Sequence, residues 1–381
     1  MTSWSGRDAS TWNQAALDFV HSAPVLDAAL QMEGGSPLPQ SIQRRAHELG
    51  FTTARLPADR GGYGMAMVDY VALLERIGQG PGALRVFIHG QNTKWEMFER
   101  FGSTAQKRRY LPTFERGEWA ASFALTEPFA GTGNDIATRA TPTGSGWVLN
   151  GEKHLITHAA SAQVLIVLAQ HEDYGVSAFL VAPDTPGVSV TPMPELMGTR
   201  GIELAAVRFD DCAVETEALL GVAGQGLEIG LSFLDITRTA LASSAVGLAQ
   251  RALDLAAGHA ATRVTSGKPI ARRQAVQIKL ADMEMTIRAG RALVSDAANA
   301  IDEGLSARHE ASIAKRYTAR MVTDVTDAAM QVLGGIGYTA QSPIERISRD
   351  ARSFWFEEGT DDAQAFVIAR TVIGSLASPS T

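Results

Sequence analysis

Apolar residues along this chain change their spacing twice, and that change limits the available folds more than any single motif does. Up to about Trp119 they recur every three to four residues, the period that lines one face of a helix. Val68 to Ile77 reads as one such helix, ended near Gly78, after a glycine-rich break at Arg60-Gly61-Gly62-Tyr63-Gly64. Lys107-Arg108-Arg109-Tyr110-Leu111-Pro112 reads as a short helix stopped by its proline. From Ala120 to Gly221 the texture is strand-like. Trp147 to Lys153 predicts a strand with a turn, Val164 to Leu168 a strand buried on both faces, and Ala178–Ala182 and Ala205–Phe209 two more. After Gly226 long helical patterns return: Leu241 to Leu255, Val276 to Val294, Ala314 to Val332, and a fourth helix from Thr360 to about Leu376. Strands and helices do not alternate, which excludes a doubly wound sheet. The expected fold is α+β in three parts: an N-terminal helical domain (1–119), a central β domain (120–225) and a C-terminal helical bundle (226–381).

Composition narrows the function. A chain of 381 residues has room for two or three packed units, and 45% hydrophobic against 20% charged residues is an ordinary globular balance. A net charge of −7 with no basic stripe argues against a nucleic-acid partner. Cys212 is the only cysteine, so a disulfide framework and a cysteine-based metal site are excluded. The longest purely aliphatic run, Val164 to Ala169, is too short to span a bilayer, so no membrane association is expected. The first residues lack the apolar stretch of a signal peptide. The expectation is a soluble, cytoplasmic protein.

Familiar catalytic signatures fail in turn. Gly267-Lys268 is followed by Pro269, which breaks the phosphate-loop pattern. Gly334-Gly335-Ile336-Gly337 follows a helix, whereas a dinucleotide fingerprint must follow a strand; a helix cap and a backbone approach to a ligand both stay open. His154 and His158 share a spacing but have no carboxylate beside them, so no metal site is expected. No G-x-S-x-G elbow occurs. What remains is a cofactor or a lone carboxylate.

Four separated segments supply the specificity: Ala124-Leu125-Thr126-Glu127-Pro128-Phe129-Ala130-Gly131-Thr132; Leu149-Asn150-Gly151-Glu152-Lys153 with Ile156-Thr157; Gln331-Val332-Leu333-Gly334-Gly335-Ile336-Gly337-Tyr338; and Arg349-Asp350-Ala351-Arg352 leading into Glu358-Gly359-Thr360. In this order the chain, from about residue 40 to 375, resembles the acyl-CoA dehydrogenase family of flavoproteins. The resemblance implies FAD as cofactor, a central domain of β-barrel type, a four-helix bundle and a homotetramer. It implies an acyl-CoA substrate, converted to the trans-2-enoyl thioester, and an electron-transferring flavoprotein or other acceptor. In that chemistry a carboxylate takes the α-proton while the β-hydrogen leaves as hydride to the flavin N5, and the base needs a raised pKa in a water-poor pocket.

Carried over residue by residue, the resemblance implies Glu358 as the base. Glu357, the rival carboxylate, stands where relatives commonly carry tyrosine, and if it faces the pocket it raises the pKa of Glu358 by repulsion. Phe123, Leu125, Thr126 and Thr157 match positions lining the flavin ring. Arg263 and Thr265 match positions that reach the FAD phosphates across a subunit interface, with Ser266 in place of a phenylalanine. Gln274, Gln331, Gly334 and Gly335 match the adenosine half, and Thr360 and Asp362 the turn beside it. Thr132, Asp235, Thr237, Arg238 and Arg370 match the substrate side. Three further places depart from the pattern. Leu155 replaces a tryptophan, which removes a stacking wall; Phe129 replaces a glycine; and Gly133-Asn134 reads as an insertion. The last two fall where the pantetheine arm passes, and imply a differently seated carrier or an acyl carrier protein in place of CoA. The alternative functions are a flavin monooxygenase or oxidase on the same scaffold, and a helical assembly protein that has lost its flavin.

Overall fold

The computed structural model describes residues 9–129 and 135–377. The helices before the sheet are α1 (Ala9–Val20), α2 (Ala23–Glu33), α3 (Gln40–Glu48), α4 (Met67–Ile77), α5 (Gly82–Gln91), α6 (Trp95–Phe101) and α7 (Thr104–Glu115). The strands are β1 (Ala121–Ala124), β2 (Arg139–Pro142), β3 (Gly146–Thr157), β4 (Val164–His171), β5 (Gly175–Val181), β6 (Val188–Pro192), β7 (Leu204–Glu215) and β8 (Leu219–Leu220). Then come α8 (Gly226–Ser232), α9 (Leu234–Thr262), a small hairpin of β9 (Val264–Thr265) and β10 (Lys268–Pro269), α10 (Gln274–Asp302), α11 (Arg308–Leu333), α12 (Pro343–Ser353) and α13 (Asp361–Ala377). The helical, sheet, helical order expected from the sequence is the order observed.

The sheet runs β6-β7-β3-β2-β4-β5-β8, with β1 joining parallel to β4 through Ala121–Val164 to Ala124–Val167. β4 is buried along almost its whole length, as its unbroken aliphatic run predicts. Two local expectations are corrected. Asn150-Gly151 does not turn the chain; β3 continues through it with a bulge against β7 between Leu149 and Gly151. Gly151 has φ 149°, and a Cβ there would come within 2.6 Å of Thr138, so the glycine serves a close strand approach. Pro112 does not end its helix either. α7 runs on to Glu115 because Ser103 and Gln106 close a capping box at its start and Tyr110, Leu111 and Phe114 are buried on one face. Burial outweighs one lost backbone bond here.

α9, α10 and α11 pack against one another, α13 lies on α11, and α4 leans on both α9 and α10. The first and last thirds of the sequence therefore share one hydrophobic core, which joins Trp12, Phe51 and Leu74 to Leu241, Val246, Met321 and Phe354. The crossing of α4 on α9 is close: a Cβ on Gly247 would sit 1.9 Å from the Glu75 carbonyl, and one on Gly78 2.4 Å from that of Ser244. This junction brings α5 beside the start of α9 and the chain after α12, where the site forms.

Candidate active site

The site is built around a strained turn. α12 ends at Ser353, Phe354 is buried as an anchor, and Glu358 and Gly359 then take left-handed conformations, φ 56° and 94°. Left-handed backbone is unfavourable for a glutamate by about 1–2 kcal/mol, so it persists only where neighbours enforce it. Four side chains do so. Thr237 Oγ1 donates to Glu358 Oε2 at 3.0 Å, and Arg238 Nε to the Glu358 carbonyl at 3.2 Å. Gln364 Nε2 donates to the carbonyls of Glu358 and Gly359 at 3.2 and 3.3 Å, and Lys315 Nζ to that of Gly359 at 2.5 Å. Thr237 and Arg238, matched to the substrate side in the sequence, thus face the Glu358 turn, one holding its carboxylate and the other its backbone.

The two adjacent glutamates are driven apart electrostatically. Burial pushes Glu358 above the ordinary carboxylate range, with Glu357 adding to the rise and Thr237, Lys94 and Arg238 opposing it. Burial pushes Glu357 up as well, but the Arg85 guanidinium more than reverses this and holds it below the ordinary range. Arg85 donates to both Glu357 oxygens at 2.8 Å, its side chain only 4% exposed, while Glu357 keeps 30% of its side-chain surface exposed. Paired carboxylates with opposed shifts separate a proton acceptor from a structural anion. Of the two, only Glu358 is pushed upward.

The facing wall comes from the sheet. Lys153 and Glu127, 0% and 3% exposed, form an ion pair at 2.8 Å. Glu127 also accepts from the amides of Ala137 and Thr138 and from the Thr138 hydroxyl, while Lys153 donates to the Leu125 carbonyl. A fully satisfied pair of this kind fixes the chain around it. It holds Leu125 and Thr126, whose side chains stay half-buried at the end of β1, and the Thr126 carbonyl accepts from the His154 amide at 2.7 Å. Ser122 Oγ donates to the Thr157 carbonyl at 2.6 Å, and Phe123 meets Phe233 edge-on at 5.0 Å. Phe123 therefore links this wall to the start of α9. Leu155 is exposed with φ 58°, and Phe129 is fully exposed. Thr132 and the insertion Gly133-Asn134 lie outside the described residues.

The remaining matched residues are elsewhere. Thr237 and Thr262 are separated by about 38 Å along α9 at the helical rise. Arg263 and Thr265 in the hairpin, and Gln274 opening α10, are therefore far from Glu358 within one chain, and all three are exposed. Gln331 lies about 24 Å along α11 beyond Lys315, and Gly334 and Gly335 follow it, exposed, with open space where a Cβ would stand. Arg263 has no ion-pair partner among the described residues. An unpaired guanidinium, carboxamides and glycine backbone form a donor set suited to a dinucleotide's diphosphate and adenosine, so these residues fit FAD. Asp362 and Thr360 are exposed at the start of α13, Arg370 is exposed further along it, and Asp235 is half-buried in the first turn of α9.

Sequence reading missed Arg85, Lys94, His89, Lys315 and Gln364. A signal existed for the first three: Arg85, His89 and Lys94 interrupt a stretch from Ala83 to Phe98 that is otherwise largely buried. Polar residues at buried positions need partners or a ligand. Arg85 finds its partner 272 positions away and His89 has none among the described residues, which pattern alone cannot show.

Three family models match in order: acyl-CoA dehydrogenase N-terminal domain at residues 10–118, middle domain at 122–212 and C-terminal domain at 224–373. The human mitochondrial short-chain specific acyl-CoA dehydrogenase is 34% identical over 96% of this chain and 90% of its own length. Among solved structures, butyryl-CoA dehydrogenase from Megasphaera elsdenii is similar with TM-score 0.90 at 30% identity, covering 96% of this chain and 98% of its own. Glutaryl-CoA dehydrogenase from Mycobacterium smegmatis in complex with FADH2 is similar with TM-score 0.91 at 26% identity, covering 97% and 95%. The prolyl acyl carrier protein oxidase AnaB is similar with TM-score 0.89 at 27% identity, covering 96% and 98%.

Proposed function

This chain belongs to the acyl-CoA dehydrogenase family of oxidoreductases, and on that premise we propose that it oxidises an acyl thioester to the trans-2-enoyl thioester with Glu358 as the base and FAD as cofactor. The observation that carries this reading is the opposed tuning of Glu357 and Glu358, with only the second available to take a proton. Thr237 orients the Glu358 carboxylate; Arg238, Gln364 and Lys315 hold its backbone turn. Burial removes water that would otherwise stabilise the carboxylate, which strengthens it as an acceptor for the α-proton. The chemistry that FAD supplies when bound is acceptance of the β-hydrogen as hydride. Phe123, Leu125, Thr126 and Thr157 line its ring side; Arg263, Thr265, Gln274, Gln331, Gly334 and Gly335 hold the diphosphate and adenosine half, contributed by a neighbouring subunit of a homotetramer. The 38 Å scale of α9 supports that sharing, since one chain does not bring both groups together. An electron-transferring flavoprotein serves as acceptor. The three sequence units 1–119, 120–225 and 226–381 provide the helical, ring-side and base-side walls.

Anaerobic titration of the purified holoenzyme with a panel of acyl-CoAs tests the reading. Bleaching of the flavin band near about 450 nm at one equivalent per site is expected. A flavin that stays oxidised with every acyl thioester overturns it.

A further inference from the structure

Near the site the described residues hold four buried cations, each with a defined acceptor, and a fifth, Lys94, that is half-buried. Arg85 grips Glu357, Lys153 pairs with Glu127, and Lys315 and Arg238 donate to the carbonyls of the Glu358 turn. Lys94 differs. Its Nζ makes one long bond, 3.4 Å to the Gly90 carbonyl, and sits 4.5 Å from the centre of the Trp119 ring. No carboxylate of the described residues lies within ion-pair distance of it. The arrangement is made possible by Gly90, where a Cβ would lie 2.4 Å from the Trp119 ring and 3.1 Å from Lys94 Nζ. On the same helix as Gly90, His89 is 9% exposed and neither of its ring nitrogens has a hydrogen-bond partner. His158, half-buried with φ 53°, packs tilted against the Trp119 ring with centroids 4.5 Å apart. Lys94 and His158 therefore flank one indole, with the unbonded His89 imidazole next to Gly90 on α5, and no carboxylate pairs directly with Lys94.

Desolvating an ammonium and leaving imidazole nitrogens unbonded is costly, and a bound anion removes that cost. We propose that Lys94, with His89 and His158, receives the far end of the acyl group, and that the thioester oxidised here carries a second, free carboxylate. The inference rests on the dehydrogenase reading and names its substrate class. The charge balance agrees. Burial lowers Lys94 to about 8, which leaves it mostly charged at neutral pH, while His89 at about 3 and His158 at about 4 stay neutral and able to donate one N–H each. One positive charge with two neutral donors suits a carboxylate. One turn before His89 on α5, Arg85 grips Glu357 next to Glu358, which places the anion site beside the Glu358 turn.

The test measures binding, by calorimetry, to the flavin-loaded Glu358→Gln variant, which holds thioesters without turning them over. Three probes are compared: glutaryl-CoA, its ω-methyl ester, which keeps the length but removes the charge, and butyryl-CoA. Glutaryl-CoA should bind about 10- to 100-fold more tightly than its methyl ester, as expected for one charge-assisted contact. Adding Lys94→Met should bring the two within about threefold, with flavin content and melting temperature confirming that the double variant folds. Equal binding of acid and ester to protein with Lys94 intact overturns the inference while leaving the dehydrogenase reading in place. A preference for the acid that survives Lys94→Met also overturns it. Failure to bind any of the three thioesters sinks the dehydrogenase reading first.

Discussion

Glu358 and Glu357 are neighbours in sequence whose pKa values are pushed in opposite directions, and substitutions at the two should separate cleanly. Glu358→Gln keeps the shape and the Thr237 contact but removes the proton acceptor. Flavin reduction in an anaerobic single turnover should fall by about 10²- to 10⁴-fold; a wild-type rate would exclude Glu358 as the base. The same variant should be more stable than wild type at neutral pH. Because the folded pKa of Glu358 is raised, the native state binds more protons than the unfolded state above the ordinary glutamate value, and stability is lost as pH rises through that window. Glu358→Gln avoids this loss, so its melting temperature should exceed the wild-type value at pH 7 and match it near pH 4. Glu357→Gln acts the other way. It strands the buried Arg85 and should cost on the order of 1–3 kcal/mol at neutral pH. The depressed pKa of Glu357 means this contribution is present above the ordinary glutamate value and fades as pH falls through the depressed one. With Glu357 neutral and Arg85 unbalanced, Glu358 ionises more easily, so the pH profile of flavin reduction should move toward acid. An unmoved profile and unchanged stability would show that the pair does not tune the base. The sequence suggested repulsion from Glu357; the structure adds Arg85, which donates to both Glu357 oxygens.

At the scale of elements, the site depends on how closely α4 crosses α9. Ser243 Oγ donates to the Val71 carbonyl within that crossing, and Gly247 leaves room for the Glu75 carbonyl. Arg291 on α10 then pairs with the Glu75 carboxylate at 2.9 Å and ties the third helix into the junction. Gly247→Ala has no room to relax, since the obstacle is backbone, and should destabilise by about 1–3 kcal/mol through overpacking. Urea denaturation should show a lower midpoint with an unchanged slope. A wild-type midpoint would mean that the crossing is looser than these contacts indicate. α7 makes the complementary point: its proline was readable as a stop, but a capping box and a buried face carry the helix three residues past it.

For the whole molecule, the decisive fact is distance. Residues matched to the phosphates and adenosine of FAD stand at one end of the bundle and Glu358 at the other, so flavin retention should depend on assembly. Arg263→Ala should lower flavin occupancy by about tenfold or more at limiting FAD, while helix content measured by circular dichroism stays the same. Analytical ultracentrifugation supplies the check: a flavin-replete wild-type monomer would contradict the shared site.

Much of this was legible in one dimension. Helical and strand periods are local properties, so the three textures, the long helices of the bundle and the buried strand β4 followed from spacing alone. Glu358 was also marked as the candidate base, through the resemblance that Glu358-Gly359-Thr360 and its flanking motifs carry. The shared core was not legible: the outer thirds look alike in texture, and only packing shows that they join. Nor were Arg85, Lys315 and Lys94. The charge of a side chain is written in the sequence, but its partner is chosen by the fold, and Arg85 meets Glu357 across 272 positions. Whether a buried cation is matched or left waiting for an anion is a tertiary property, because solvation and Coulomb energy depend on distances in space and not along the chain.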